Sequence, residues 1–277
     1  MNNHRITGIG LALKPVAIAV HPASDADTTL RDGFASRQSE DLQFIEVAAE
    51  QWLGMGGPWG QHLREATQRW PSVCVSQSLS LGGPGRLDMA LVHQLATFVR
   101  GHEMAMFSEA LSWSDDDAPL FTCLPIPATT AALQWTADRI MRVQDALGQS
   151  IGIRNVSHHA VPPMSAMHEA AFISALVAQT GCHVHLDITA LAENSHRFGF
   201  DALQFLAALP MQRVNYVRLG GAEASPIEPS LNSAAARLLP AVLSHLHPEV
   251  PVCVDDWAQL KRWSDAAVST SKKTVAC

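Results

Sequence analysis

At 277 residues, 47% hydrophobic and 16% charged, the chain has ample apolar material for a core and falls outside the disordered, collagen-like and small disulfide-scaffold classes. Its formal net charge of −7 disfavours nucleic acid and anionic lipid as partners. The cysteines Cys74, Cys123, Cys182, Cys253 and Cys277 are odd in number and lack a C-x-x-C spacing, so they read as reduced thiols and not as a disulfide or zinc framework.

From the amino terminus, the apolar stretch Ile6 to Val20 is interrupted by Lys14 and Pro15 and provides neither a signal-peptide core nor a span of ~20 apolar residues. The expectation is a cytoplasmic protein that does not cross a membrane. Eight short apolar runs follow one another: Thr7–Leu13, Phe44–Ala49, Val73–Leu79, Met104–Leu111, Ile151–Val156, His183–Ile188, Val214–Leu219 and Val250–Val254. Residues His21 to Asp41 are polar and predict an irregular, partly helical first crossover. Gly54-Met-Gly-Gly57-Pro58 reads as a loop after the second run, and Gly82-Gly83-Pro84-Gly85 as a turn. Leu91, Leu95 and Phe98 repeat on one helical face, as do Leu133, Ala137, Ile140, Gln144 and Leu147. The second helix has Thr129 or Thr130 to cap its first amides and Gly148 to end it. Strands alternating with helices predict an α/β fold, a (β/α)8 TIM barrel, over residues 1–263, with a polar tail over 264–277 that frays.

In such a barrel, chemistry sits at the carboxyl ends of the strands. The ionisable residues there are Glu46 and Glu50, Glu109, Arg154 beside Asn155, Asp187, Arg218, and Asp255 with Asp256. Their convergence in a sparsely charged chain is the functional signal, although any single one also reads as a rim charge.

Several local motifs carry a resemblance. Ser78-Leu-Ser-Leu-Gly82, Phe107-Ser-Glu-Ala-Leu-Ser-Trp113, Leu124-Pro-Ile-Pro127, Val143-Gln-Asp-Ala-Leu-Gly148, Asn155-Val-Ser157, Leu186-Asp187, Gly199-Phe-Asp201 and Ala208-Leu-Pro210 run in order over about residues 7 to 257. In this the chain resembles the DUF692 (UPF0276) family. The resemblance implies a xylose-isomerase-like barrel and multinuclear non-haem iron-dependent oxidation of a ribosomally made precursor peptide, presented by a partner protein. The family's ligand positions are altered. Val75, Ala110, Phe198 and Arg218 stand where the resemblance implies histidines, Arg154 where it implies an acid, and Thr189 and Ala190 where it implies asparagines. Ala222 stands where another histidine is implied; Glu109, Asp187 and Asp255 keep carboxylates.

Iron needs imidazole nitrogen and bridging carboxylates, and each arginine is a permanent positive charge. The expectation is therefore a metal-free ion-pair network at the mouth, built from Glu46, Glu109, Arg154, Asn155, Asp187, Arg218 and Asp255. No cofactor is expected, and the protein reads as a pseudoenzyme that binds or scaffolds, engaging a precursor peptide, its presenting partner or an active homologue. Two alternatives stay open: an iron-dependent oxidase with a reduced metal site, and metal-independent acid–base chemistry by Glu109 or Asp187.

Other motifs weigh less. His183-x-His185-x-Asp187 shares one strand face and is the alternative metal site, although packed histidines explain it as well. His158-His159 reads as an exposed loop pair that could also reach a ligand, and His245-x-His247 as surface. Trp52, Trp59, Trp113 and Trp257 could line a peptide groove, and core packing accounts for them equally. Cys74 and Cys253 read as inert strand thiols.

Overall fold

The computed structural model describes residues 6–13, 42–115, 119–162, 164–220 and 229–254. The polar excursion, the tail, Ala222, Asp255, Asp256 and Trp257 lie outside them.

All eight predicted runs form strands of one closed parallel barrel. They are β1 (Ile9–Leu13), β2 (Phe44–Ala48), β3 (Ser72–Ser76), β4 (Met106–Ala110), β7 (Gly152–Arg154), β8 (His183–Asp187), β9 (Val214–Leu219) and β10 (Val252–Val254), in the order β1-β10-β9-β8-β7-β4-β3-β2. A hairpin of β5 (Trp113–Asp115) and β6 (Pro119–Leu124), absent from the sequence expectation, is inserted after β4 on the mouth side. Its signal is the short apolar run Leu120 to Leu124.

The helices are α1 (Ala49–Trp52), α2 (Gly57–Arg69), α3 (Met89–Gly101), α4 (Thr130–Leu147), α5 (Glu169–Thr180), α6 (Ile188–Phe198), α7 (Ala202–Ala208) and α8 (Pro229–Ser244). α4 begins and ends where its sequence predicts: the Thr129 hydroxyl accepts from the Ala132 amide at 3.2 Å, and Gly148 takes a left-handed φ of 72°. Gly57-Pro58 opens α2 and does not continue the loop, because proline lacks the N–H that a first helical turn leaves unused. No described helix is long and apolar enough to cross a membrane.

Two packing layers follow from strand alternation. The larger core lies between the strands and the helices and includes Ile45, Val47, Cys74, Phe107, Val184 and Val217. Inside the barrel sits a separate cluster of Ile6, Phe44, Val73, Val75, Tyr216 and Cys253. Bulky rings fit there because glycines face them. A Cβ on Gly10 would overlap the Phe44 ring, and one on Gly152 the His185 ring. Phe44 and His185 both pack on Tyr216, with centroids 6.0 and 4.8 Å away. This apolar plug fills the barrel below the mouth and sets the height at which charged side chains begin.

Candidate functional site

One step along each strand from the plug, the same inward face turns ionic. Glu46 follows Phe44 by two residues on β2, Arg218 follows Tyr216 on β9, Asp187 follows His185 on β8, and Arg154 follows Gly152 on β7. Two carboxylates and two guanidinium groups thus share the upper interior. Glu46 is 3% exposed; it accepts from the Tyr216 hydroxyl at 2.6 Å and from Arg218 Nε at 2.9 Å. The Arg218 Nη1 lies 3.6 Å from Asp187 Oδ2 and donates to the Gly220 carbonyl at 3.0 Å.

Burial pushes the Glu46 carboxyl upward, but Arg218, the Tyr216 hydroxyl and Arg154 together outweigh it and hold the group below its ordinary value. For Asp187 burial wins, and the carboxyl is raised despite Arg218, whose contact with it is the longer one. Both Asp187 oxygens are engaged, since Oδ1 also accepts the Ala190 amide at 2.9 Å and caps α6. Asn155 clamps the end of β8: its Nδ2 donates to the Asp187 carbonyl and its Oδ1 accepts the Asp187 amide, both at 2.9 Å.

Glu109 lies elsewhere. Phe107 belongs to the outer core and Met106 packs against the inner cluster, so alternation turns Glu109 outward, toward the helices. The Ser78–Gly82 loop covers it. The Leu79 amide donates to Glu109 Oε1 at 3.1 Å, while Glu109 Oε2 has no partner among the described residues. Burial first, then the neighbouring Glu50 charge, pushes the Glu109 carboxyl up to about 8. Glu50, on α1, accepts from the Ser76 hydroxyl at 2.8 Å, from the Gln77 amide at 2.7 Å and from the Ser78 hydroxyl. The loop's other contacts explain its remaining motif residues. Ser80 Oγ accepts the Ser114 and Asp115 amides of the hairpin at 3.0 and 3.1 Å, and a Cβ on Gly82 would overlap Ile126. Buried Arg139 donates to the Ser80 carbonyl at 2.7 Å and to the Gly85 carbonyl.

The expected network therefore divides. Glu46, Asp187, Arg154 and Arg218 share the interior, with Asn155 bracing the rim; Glu109 is outside it. Arg154 and Glu109, expected in one network, lie on opposite faces of the barrel wall, although the Arg154 charge still acts to lower the Glu109 carboxyl. Arg154 makes a long hydrogen bond, 3.5 Å from Nη2 to the Ser76 carbonyl, and its buried Nε has no partner among the described residues. The mid-strand position of Glu46, which sequence reasoning put at a strand end, is what carries it inside.

The histidine expectations also shift. His185 is fully buried in the plug, and burial pushes its imidazole down to about 3, with His183 and Arg154 adding to the effect. Among the described residues no three His, Cys, Asp or Glu side chains converge as a metal site would require. His158 is buried, not exposed; its amide donates to Asn194 Oδ1 at 2.9 Å, and Asn194 Nδ2 donates to the Val156 carbonyl. His159 is exposed. Trp52 is a core residue, edge-on to Trp59, and so lines no groove. Burial raises the Cys74 thiol well above its ordinary range, and the Glu50 and Glu109 charges add to this. Glu50 and Arg139 carried no sequence signal of their hydrogen-bond partners, and Tyr216 carried only a hint, as a polar residue inside an apolar run.

The sequence profile described as RiPP precursor modification enzyme MbnB/TglH/ChrH matches residues 28–248. A UPF0276 protein of Nitrosospira multiformis is 37% identical over 65% of this chain and 64% of its own length. One of Alcanivorax borkumensis is 37% identical over 78% and 71%, and one of Acinetobacter baylyi 33% identical over 83% and 84%. Among solved structures, endonuclease IV from Thermus thermophilus superposes with a TM-score of 0.56 at 15% identity, covering 95% of this chain and 99% of that one. A D-psicose 3-epimerase gives 0.54 at 14%, covering 90% and 84%. Those two likenesses establish the barrel fold alone.

Proposed function

The chain belongs to the MbnB/TglH/ChrH family of RiPP precursor modification enzymes, and from that premise we propose that it engages a ribosomally made precursor peptide without an iron centre. The observation that carries this reading is the Arg218 guanidinium, held between Glu46 at 2.9 Å and Asp187 at 3.6 Å. A cation fixed between two buried carboxylates occupies their charge, and a divalent ion brought there would meet a guanidinium that cannot lose its proton. Nor does the donor set among the described residues fit iron, which asks for imidazoles and bridging carboxylates on one face. His185 is sealed in the plug, Asp187 is capping a helix, and Glu109 faces the other way.

What remains available is binding chemistry. Arg154 is half-buried at the mouth and its guanidinium makes one long contact, 3.5 Å to the Ser76 carbonyl, so that head group is suited to a peptide carbonyl or carboxylate. In this reading the protein is a pseudoenzyme acting beside a presenting partner or an active homologue. The test is elemental analysis of the full chain made in iron-rich medium and reconstituted with ferrous iron under anaerobic conditions. We expect iron well below one equivalent; stoichiometric iron that survives gel filtration overturns the reading. A second reading, proton transfer without metal, would draw on Glu109, but that carboxyl is fully buried under the Ser78–Gly82 loop on the outer face of β4 and does not face the mouth. It predicts that Glu109→Gln abolishes turnover while leaving peptide binding intact.

A further inference from the structure

Beside the mouth, and sharing no lining residue with the ionic group, lies a cavity of about 400 Å³ between the hairpin-to-α4 segment, the β7–α5 loop and the end of α6. That volume is of the order that small-ligand sites use. Its floor is apolar, with Leu111 and Phe172 buried, and Ile126, Phe198 and Phe200 half-buried around them. Its lip is not. Among the described lining residues, Glu169 is the one Asp, Glu, Lys or Arg. The Glu169 side chain remains 31% exposed, with Oε1 3.5 Å from His158 Nε2. His158 is braced by Asn194 and by Arg197, which donates to the Ser157 hydroxyl at 3.1 Å and to the His158 carbonyl. The carboxylate is thus held at the entrance of an oily cavity and can accept more hydrogen bonds than His158 supplies.

We propose that this cavity is a binding site for a cationic group on an apolar body, the body resting on the phenylalanines and the cation meeting Glu169. Resting on the peptide-binding reading, the natural occupant is a basic residue flanked by an apolar side chain in the precursor peptide, so the cavity sets which peptide is retained. Charge complementarity selects this class: a neutral apolar ligand leaves the carboxylate unused, and an anion is repelled by it. Basic side chains commonly lay an aliphatic stem on apolar surface while the charged head stays at the water boundary, which matches a buried floor and a half-exposed lip.

The experiment uses the full chain, with 4-phenylbutylammonium and its neutral isostere 4-phenylbutan-1-ol as probes in ligand-observed NMR titrations. A charge-assisted hydrogen bond at the lip favours the amine by about ten-fold or more. Glu169→Gln collapses that preference to near unity while the alcohol's affinity holds. Ala166→Trp, at an exposed lining position away from the carboxylate, weakens both probes together. The assignment is overturned if neither probe saturates, if amine and alcohol bind alike to the unaltered chain, or if the preference survives Glu169→Gln. Selection of displayed random dodecapeptides on the same protein separates the two readings. Captured peptides with no amine preference remove the cavity assignment only, whereas amine binding with no captured peptide removes the peptide-binding reading.

Discussion

Replacing Arg218 by methionine keeps an unbranched stem of similar reach and removes the cation that Glu46 and Asp187 share. Breaking a buried pair by deleting one partner typically costs about 3–5 kcal/mol, because the other charge is left desolvated and uncompensated. For a chain of this size each kcal/mol moves Tm by roughly 2–4 °C, so the melting temperature should fall on the order of 10 °C. The pH dependence has a defined sign. In the intact protein Glu46 is held below its ordinary value, with burial outweighed by Arg218, Tyr216 and Arg154. Its stabilisation is therefore present above the unfolded carboxylate's value and is lost as pH falls through the lower folded one. Without Arg218 the balance tips toward burial, the folded carboxyl rises above its unfolded value, and acid then stabilises the variant relative to neutral pH. Urea unfolding at about pH 7 and about pH 5 should show the gap between the two proteins narrowing on acidification, and Glu46→Gln in the Arg218→Met background should recover part of the loss. A gap below about 1 kcal/mol, or one that widens in acid, refutes the ion-pair argument.

Glu109 behaves oppositely: its folded value of about 8 lies above the unfolded one, so the folded state holds a proton that the unfolded state has released. Stability should fall as pH rises from the ordinary carboxylate range toward 8, Glu109→Gln should flatten that slope, and infrared spectra at neutral pH should show a protonated carboxyl band that the variant lacks. Asn155→Ala removes both amide contacts to the Asp187 backbone and should cost about 2–4 kcal/mol by denaturant unfolding, with hydrogen exchange rising first at the end of β8. Gly152→Ala drives a Cβ into the His185 ring and should cost about 1–3 kcal/mol; pairing it with His185→Ala should show strong non-additivity, and simple additivity would remove the packing account of the plug.

The barrel was legible because apolar runs of strand length, separated by helical periodicity, leave few other ways to bury both faces of so many strands. α4 was legible down to its caps, since Thr129 and Gly148 act on the backbone beside them. The resemblance in ordered motifs marked which loops mattered, and the altered ligand positions marked the arginines. The sequence could not say which face each charged residue takes. A one-residue difference in strand phase sends Glu46 inside and Glu109 out: Phe44 and Glu46 share the inward face of β2, whereas Phe107 and Glu109 share the outward face of β4. Partnerships were hidden for the same reason: Glu46 and Arg218 are 172 residues apart in the chain, yet lie 2.9 Å apart across the closed barrel. Local chemistry writes strands, helices and caps, whereas charge pairing depends on closure of the sheet, which only the whole fold determines.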